Sequence, residues 1–299
     1  MTEPSAKVIA DSVSPKGVRL TTLEIVMHRF VLAESNTHRT FSRNSSSSRA
    51  VPVRKQLQKY LEDPAYPIEW PAEQSGMQGG ELLEGPDWNR AVELWSDVQN
   101  YTYSRIRNYL TDVDQEKGKA LHKSLLNRLL EPMQWHTVVV TSTRWENFFN
   151  QRLAPEAMPE IRVAAEKMKV ALNHSEPRDL QASEWHLPYL SDDERGVALG
   201  DAVRISAARC ARVSYERQGD MRKYIEDLDL YERLADNLHM SPLEHICTPD
   251  PRIDYLGSFT ARDILLPTHL THAQCQNNTP GWIQLRQIVE AQRDYDSKS

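Results

Sequence analysis

Apolar positions in the first part of the chain fall two apart. In GVRLTTLEIVMHRFVLA, Val18 and Leu20 and then Leu23, Ile25 and Met27 fall at alternate positions, so residues 17–33 are expected as one or two extended segments. WHTVVVTST, residues 135–143, is centred on three consecutive valines flanked by threonines and is expected as a buried strand. Elsewhere the spacing is helical. Ala91, Leu94, Val98 and Tyr101 share one helix face behind an N-cap candidate, Asp87. A helix is expected to begin near Pro52, another to span about 116–131 and stop at Pro132. RWENFFNQRLAPEAMPEIRVAAEKMKVAL predicts a short helix, a proline break and a longer amphipathic helix, and residues 201–238 are again helical. Residues 62–86, rich in Pro and Gly, form a surface excursion, and the polar stretch 174–200 forms a junction. The last fifty residues are mixed, and the tail frays. The pattern describes an α/β or α+β fold in which helices dominate.

Composition adds bounds. The 299 residues, 39% hydrophobic and 26% charged, suit a globular protein with a sizeable core. No apolar run is long enough to span a membrane, and MTEPSAKVIADS lacks a signal-peptide pattern, so a cytoplasmic protein is expected. Cys210, Cys247 and Cys275 form no CxxC pair. A net charge of −6 argues against a general binder of nucleic-acid polymers. Yet between Asn36 and Tyr60 stand six Lys or Arg and no acid. A local basic patch on an acidic chain points to a confined anionic ligand.

That patch contains NTHRTFSRNSSSSR. Arg39, Ser47 and Arg49 there combine guanidinium forks with short hydroxyls, as a phosphate monoester requires, although composition alone leans toward a solvated loop. Arg128 in NRLLEP stands near a helix C-terminus, where a favourable dipole interaction alone explains it. Asn147 and Arg152 follow the buried strand, a position where α/β folds keep ligands and where an amphipathic helix also starts. In HMSPLEH, Ser241 and Glu244 have capping-box spacing with Pro242 at the first helical position; His239 flanks that N-terminus, which could face an anion or polar ring. His269, His272 and Cys275 space like metal ligands but sit in loop-like sequence and are too few for a structural site, so no metal is expected.

Taken together these segments resemble the flavin-dependent thymidylate synthases. The family's R-H-R motif, followed after seven residues by S-x-R, corresponds to Thr37-His38-Arg39 and then Ser47, Ser48, Arg49. Its N-F-x-x-x-R corresponds to Asn147 through Arg152, preceded by Arg128, and its H-x-[ST]-P-x-E-H is present outright as HMSPLEH. In the common arrangement that last motif comes first. Here it follows, and SAARCARVSYE before it is similar to the family's N-terminal helix, so the chain resembles a circularly permuted form of the thymidylate synthase complementing protein fold, like phage and some actinobacterial versions. Residues 62–115 and the last fifty lie outside the resemblance. Departures are Thr37 for an arginine, Ser45 for a glutamate, Glu34 for a glutamine and Glu156 for a histidine.

The resemblance implies an α+β, α/β/α-like fold, with a central, mostly antiparallel sheet flanked by helices in one catalytic domain spanning residues 1–299. It implies transfer of a one-carbon unit from 5,10-methylenetetrahydrofolate to C5 of a deoxynucleoside monophosphate, dUMP to dTMP, with FAD and NADPH, in a homotetramer. Ser47, Ser48, Arg49, Arg128 and Glu34 would bind the nucleotide, and Arg152 would face the pyrimidine carbonyls as the catalytic residue. Thr37, His38, Arg39, Asn147, His239, Ser241 and Glu244 would line the flavin. Two alternatives are a hydroxymethylase of the same family acting on dUMP or dCMP, and a single-stranded nucleic-acid module stacking bases on Phe41.

Overall fold

The computed structural model describes residues 2–215, 224–251 and 278–297. Its strands are β1 (Ser5–Val13), β2 (Arg19–His28), β3 (Ser42–Ser45), β4 (Trp135–Ser142), β5 (Arg178–Asp179), β6 (Cys247–Pro249) and β7 (Trp282–Gln284). Its helices are α1 (Leu32–Asn36), α2 (Val53–Glu62), α3 (Gly85–Gln115), α4 (Lys123–Leu126), α5 (Glu146–Arg152), α6 (Pro159–Asn173), α7 (Leu199–Arg212), α8 (Tyr224–Asp236) and α9 (Leu285–Asp296). Five strands form one mixed sheet in the order β3-β4-β2-β1-β5, antiparallel except where β5 joins β1. β6 and β7 form a separate antiparallel pair.

The sheet is sandwiched. On one face Leu23, Ile25 and Met27 of β2 and Val138 and Val140 of β4 pack against Ile161, Ala164, Ala165 and Met168 of α6. The Leu23–Ile25–Met27 part of the alternation is therefore one core face of β2, while Val18 and Leu20 pack in a different cluster. On the other face Leu20 of β2 packs with Leu180, Cys247 and Trp282, and beside them runs a buried polar chain. Ser12 bonds His186 Nδ1 at 2.9 Å, and His186 Nε2 bonds Thr22 at 2.7 Å. Thr22 bonds Thr141 at 2.6 Å, which bonds His245 Nδ1 at 2.7 Å. This chain ties three strands to the 3₁₀ turn Ser241–His245. Beyond it α7 and that turn pack with Trp185, Leu187, Leu190 and Leu285 in a second apolar cluster.

Several expectations change. α3 does run helically, but Leu94 and Tyr101 on the expected face are 66% and 69% exposed. The buried stripe is offset by about one residue, with Trp95, Ile106 and Leu110 packing on Leu57, Tyr60, Leu126 and Leu130. α3 starts at Gly85 with Glu84 as N-cap, leaving Asp87 in the first turn, where its charge suits the dipole. The helix expected over 116–131 is only α4 and a 3₁₀ turn, Asn127–Met133, that contains Pro132. Lys117 takes a positive φ of 53° just after α3, and the chain there cannot continue helically. β1 was not expected. The 174–200 stretch is threaded into the core, with Leu180, Trp185 and His186 all buried. No helix among the described residues is long and apolar enough to cross a membrane.

Candidate active site

The serine-rich stretch is strand and turn. β3 pairs with β4, Ser42 opposite Thr141 through Ser45 opposite Val138, and Ser46 N–H continues the ladder to the Thr137 carbonyl at 2.9 Å. Burial alternates: Ser42, Asn44, Ser46 and Ser48 are buried, while Arg43, Ser45, Ser47 and Arg49 are more open. Each inward polar side chain has a partner, as burial demands. Gln284 Nε2 donates to Ser42 at 2.9 Å, Asn44 Nδ2 to the Cys210 carbonyl at 2.6 Å, and Ser46 lies 2.9 Å from His136 Nδ1. Ser48 donates to Glu131. The solvated-loop reading therefore fails. Phe41, 4% exposed and packed on Trp145 and Phe148, has no face on which to stack a base.

Two further elements hold the turn that follows β3. Asn127, fully buried, donates Nδ2 to the carbonyls of Ser48 and Val51 at 2.7 and 2.9 Å. Lys123 Nζ donates to the Ala50 carbonyl at 3.0 Å. Glu131 collects Arg29 at 2.8 Å, Arg128 at 3.4 Å and the Ser48 hydroxyl. Arg29 also donates to His136 Nδ1 at 2.7 Å, so that nitrogen accepts. Burial, with Arg29 alongside, pushes His136 down to about 3 and keeps it neutral.

These contacts shape a cleft of about 850 Å³. Its walls carry Arg29, Arg43, Arg49, Lys123 and Arg128, the serines 45–48, and His239 and Ser241, with no acidic residue among the described lining. Ser47, Ser48, Arg49, Arg128, His239 and Ser241, drawn from three separated motifs, thus meet in one place. Arg29, Asn127 and Lys123 were not singled out from the sequence. Arg29 alone had a signal, a cation at the end of the alternating strand.

The remaining site candidates gather elsewhere. Arg152 Nε donates to His38 Nε2 at 2.9 Å, and its Nη2 to the Glu34 carbonyl and Thr37 hydroxyl, each at 2.9 Å. Burial first, then Arg152 and Arg43, lower His38 to about 4, so its ring is neutral and accepts at Nε2. His38 is packed edge-on against Phe148 at 4.9 Å. Arg39 and Asn147 are exposed, and Asn147 accepts from Gln151 at 3.3 Å. Arg43 stands between the two clusters, donating to the Ser35 and His38 carbonyls at 2.9 and 3.2 Å while lining the cleft. The Glu34 side chain lines a different cavity.

The HMSPLEH segment is a five-residue 3₁₀ turn with Met240 as N-cap and no side-chain cap bond. Pro242 takes its early position as expected, but the capping box does not form. Glu244 pairs instead with Arg286 at 2.6 Å, and Ser241 donates to Asn44 Oδ1 at 3.5 Å. Burial pushes His245 down to about 3.

The residues assigned to a flavin are thus divided: His239 and Ser241 lie on the cleft, while His38, Arg39 and Asn147 lie beside α1 and α5. His38, Arg39 and Asn147 are not among the residues that line the cleft. No group of three or more His, Cys, Asp or Glu among the described residues is placed to hold a metal ion. His269, His272 and Cys275 lie outside the described residues.

No protein-family model and no curated protein matches the chain. Among solved structures it is similar to a UMP/dUMP methylase, PolB from Streptomyces cacaoi, bound with 5-Br UMP, at 12% identity and a TM-score of 0.41, over 57% of this chain and 89% of that one. A likeness of that size carries no assignment, and the side chains of the cleft must carry it instead.

Proposed function

We propose that the protein transfers a one-carbon unit to C5 of a pyrimidine deoxynucleotide, converting dUMP to dTMP, with methylenetetrahydrofolate as carbon donor and FAD, reduced by NADPH, as hydride source. The observation that carries this reading is the cleft: five cations line it around four consecutive serines, and the one carboxylate bonded to that set, Glu131 on Arg29, Arg128 and Ser48, lies outside the lining, which leaves the excess of positive charge and hydroxyls that a phosphate monoester requires. Arg49 and Arg128 supply guanidinium forks and Ser47 a hydroxyl, and Arg29 and Lys123 raise the potential. The cofactors and the choice of base come from the motif resemblance alone.

Arg152 is assigned to the pyrimidine carbonyls, where its charge would stabilise the enolate-like ring that makes C5 nucleophilic. In a single chain its guanidinium is held by α1 and the two residues that follow it, so it would reach a nucleotide across a subunit junction, as a homotetramer would provide. The chain's described thiols offer no alternative activation: Cys210 and Cys247 are buried and burial pushes both well up.

A second reading keeps this site but ends at the 5-hydroxymethyl product of dUMP or dCMP, with water capturing the C5 methylene. It is favoured by Thr37, which stands in the arginine position of the family and is bonded to Arg152. Calorimetry with dUMP and dCMP on the wild type and Arg49→Ala tests the cleft; no binding, or binding unchanged in the variant, removes both readings. Flavin absorbance with added FAD tests the cofactor. Mass spectrometry of the product formed with methylenetetrahydrofolate, with and without NADPH, separates methyl from hydroxymethyl.

A further inference from the structure

Among the described residues of α3, a helix of 31 residues, Gln99, Ile106 and Leu110 are buried, and none before Gln99 is. The first half of the helix nevertheless carries an apolar row that is left open to solvent. Leu94, Val98 and Tyr101 are 66%, 48% and 69% exposed. A single exposed leucine on a surface needs no explanation, but three large apolar side chains in a row on one helix face do.

The row belongs to a longer seam with an order of its own. Asp87, Ala91, Leu94, Val98, Tyr101 and Arg105 follow one another at intervals of 4, 3, 4, 3 and 4. That spacing keeps one side of a helix against a second helix packed at a shallow angle. The intervals also read the same in both directions. A second α3 laid antiparallel about a two-fold axis at Ser96 therefore meets the first in register, with Leu94 opposite Val98, Ala91 opposite Tyr101 and Asp87 opposite Arg105.

Each of these pairs is complementary. Leu94 and Val98 are both apolar, and the small Ala91 leaves room for the Tyr101 ring. At the two ends of the seam the charges are opposite. Asp87 Oδ1 accepts from Arg90 of its own helix, which leaves Oδ2 for the partner's Arg105. The Arg105 side chain has no partner of its own among the described residues. Asp97, on the flank of the central turn, approaches its own copy, but at an exposed rim where salt screens the repulsion. The seam is about 27 Å long. It ends before the second half of α3, where Ile106 and Leu110 pack on Leu57, Tyr60, Leu126 and Leu130 of the same chain.

We propose that α3 is a self-association element, through which two copies of the chain pair antiparallel about a two-fold axis at Ser96. A symmetric contact needs a surface that complements itself, and the palindromic seam is such a surface. A foreign apolar segment has no use for that symmetry. The seam contains no residue of the basic cleft, so the proposal stands whether or not the cleft binds a nucleotide.

Sedimentation velocity on the full chain reads the assembly directly. Reversible association is expected with a Kd below about 10 µM. Leu94→Glu places a charge in the seam on a side chain that is already exposed, and is expected to weaken association at least tenfold. Leu125→Glu, on a leucine 54% exposed outside the seam, is expected to leave it unchanged. Asp87→Arg and Arg105→Glu test the register. Each alone is expected to weaken association, and the double variant to recover most of the loss, because the reversed pair is again opposite in charge. Circular dichroism checks that every variant is folded. A monomer at about 100 µM, an assembly that Leu94→Glu leaves intact or that Leu125→Glu weakens equally, or a charge reversal that the second reversal does not repair would overturn the proposal.

Discussion

Ser46 and Ser48 are buried without loss because each hydroxyl reaches a fixed partner, His136 and Glu131. Asn127 does the same work for the backbone that follows, accounting for two carbonyls that would otherwise be unpaired. These contacts separate two kinds of residue in the cleft. Asn127→Ala leaves the Ser48 and Val51 carbonyls without donors and is expected to cost about 1–3 kcal/mol of stability in urea unfolding. Arg49→Ala, on an exposed side chain, is expected to change stability by less than about 0.5 kcal/mol but to weaken dUMP binding at least tenfold, about 1.4 kcal/mol. Equal effects of the two on unfolding would mean that the scaffold and the ligand-facing set had been confused. The sequence offered Arg49 through its company of hydroxyls. It gave no sign of Asn127, whose importance lies entirely in where its amide points.

At the scale of elements, legibility followed apolarity. β2, α5 and α6 were readable because one side of each is apolar at its own period, and β4 because three consecutive valines mark a strand buried on both faces. β3 was not, although it alternates as strictly as β2, because both of its faces are polar and hydrophobicity carries no signal there. α3 failed differently. It holds two neighbouring stripes, Leu94-Val98-Tyr101 and Trp95-Ile106-Leu110, and only the helices packed on it decide which is buried. The buried polar chain across the sheet is likewise a tertiary product, since Ser12, Thr22, Thr141, His186 and His245 come from five separate segments. Thr141→Val preserves shape and removes the central hydroxyl, leaving His245 Nδ1 unpaired. The expected loss is about 1–3 kcal/mol, read as a lower urea midpoint with an unchanged m-value. An unaffected midpoint would mean that the relay does not hold the Ser241–His245 turn to the sheet.

The molecule as a whole keeps its charges apart, a basic cleft against the edge strand β3 and an acidic cavity under the 62–86 excursion, within a chain of net charge −6. Between them its interior holds histidines as neutral rings. His136 and His245 are held down to about 3 and His38 to about 4, all chiefly by burial, against an ordinary value of 6.5. The direction of the resulting pH dependence follows from which state takes the proton. Below about pH 6.5 the unfolded chain protonates these rings while the folded chain refuses, so acid favours unfolding, and the stability present above 6.5 is lost as pH falls toward 4 and below. Glu194, which Arg209 holds down to about 2, adds its own loss only below the ordinary glutamate range near 4.5, so the interval from 6.5 to 5 belongs to the histidines. Once the unfolded ring is mostly charged, each fully buried histidine contributes a slope approaching about 1.4 kcal/mol per pH unit. Unfolding free energies from urea titrations at pH 7, 6 and 5 are therefore expected to decline steadily, with proton uptake on unfolding at pH 5 measurable by calorimetry in buffers of different ionisation enthalpy. A stability that is flat or rises over that interval would mean that at least one of these rings is charged inside the fold, and His38 is where that would matter most, because a protonated Nε2 could no longer accept from Arg152.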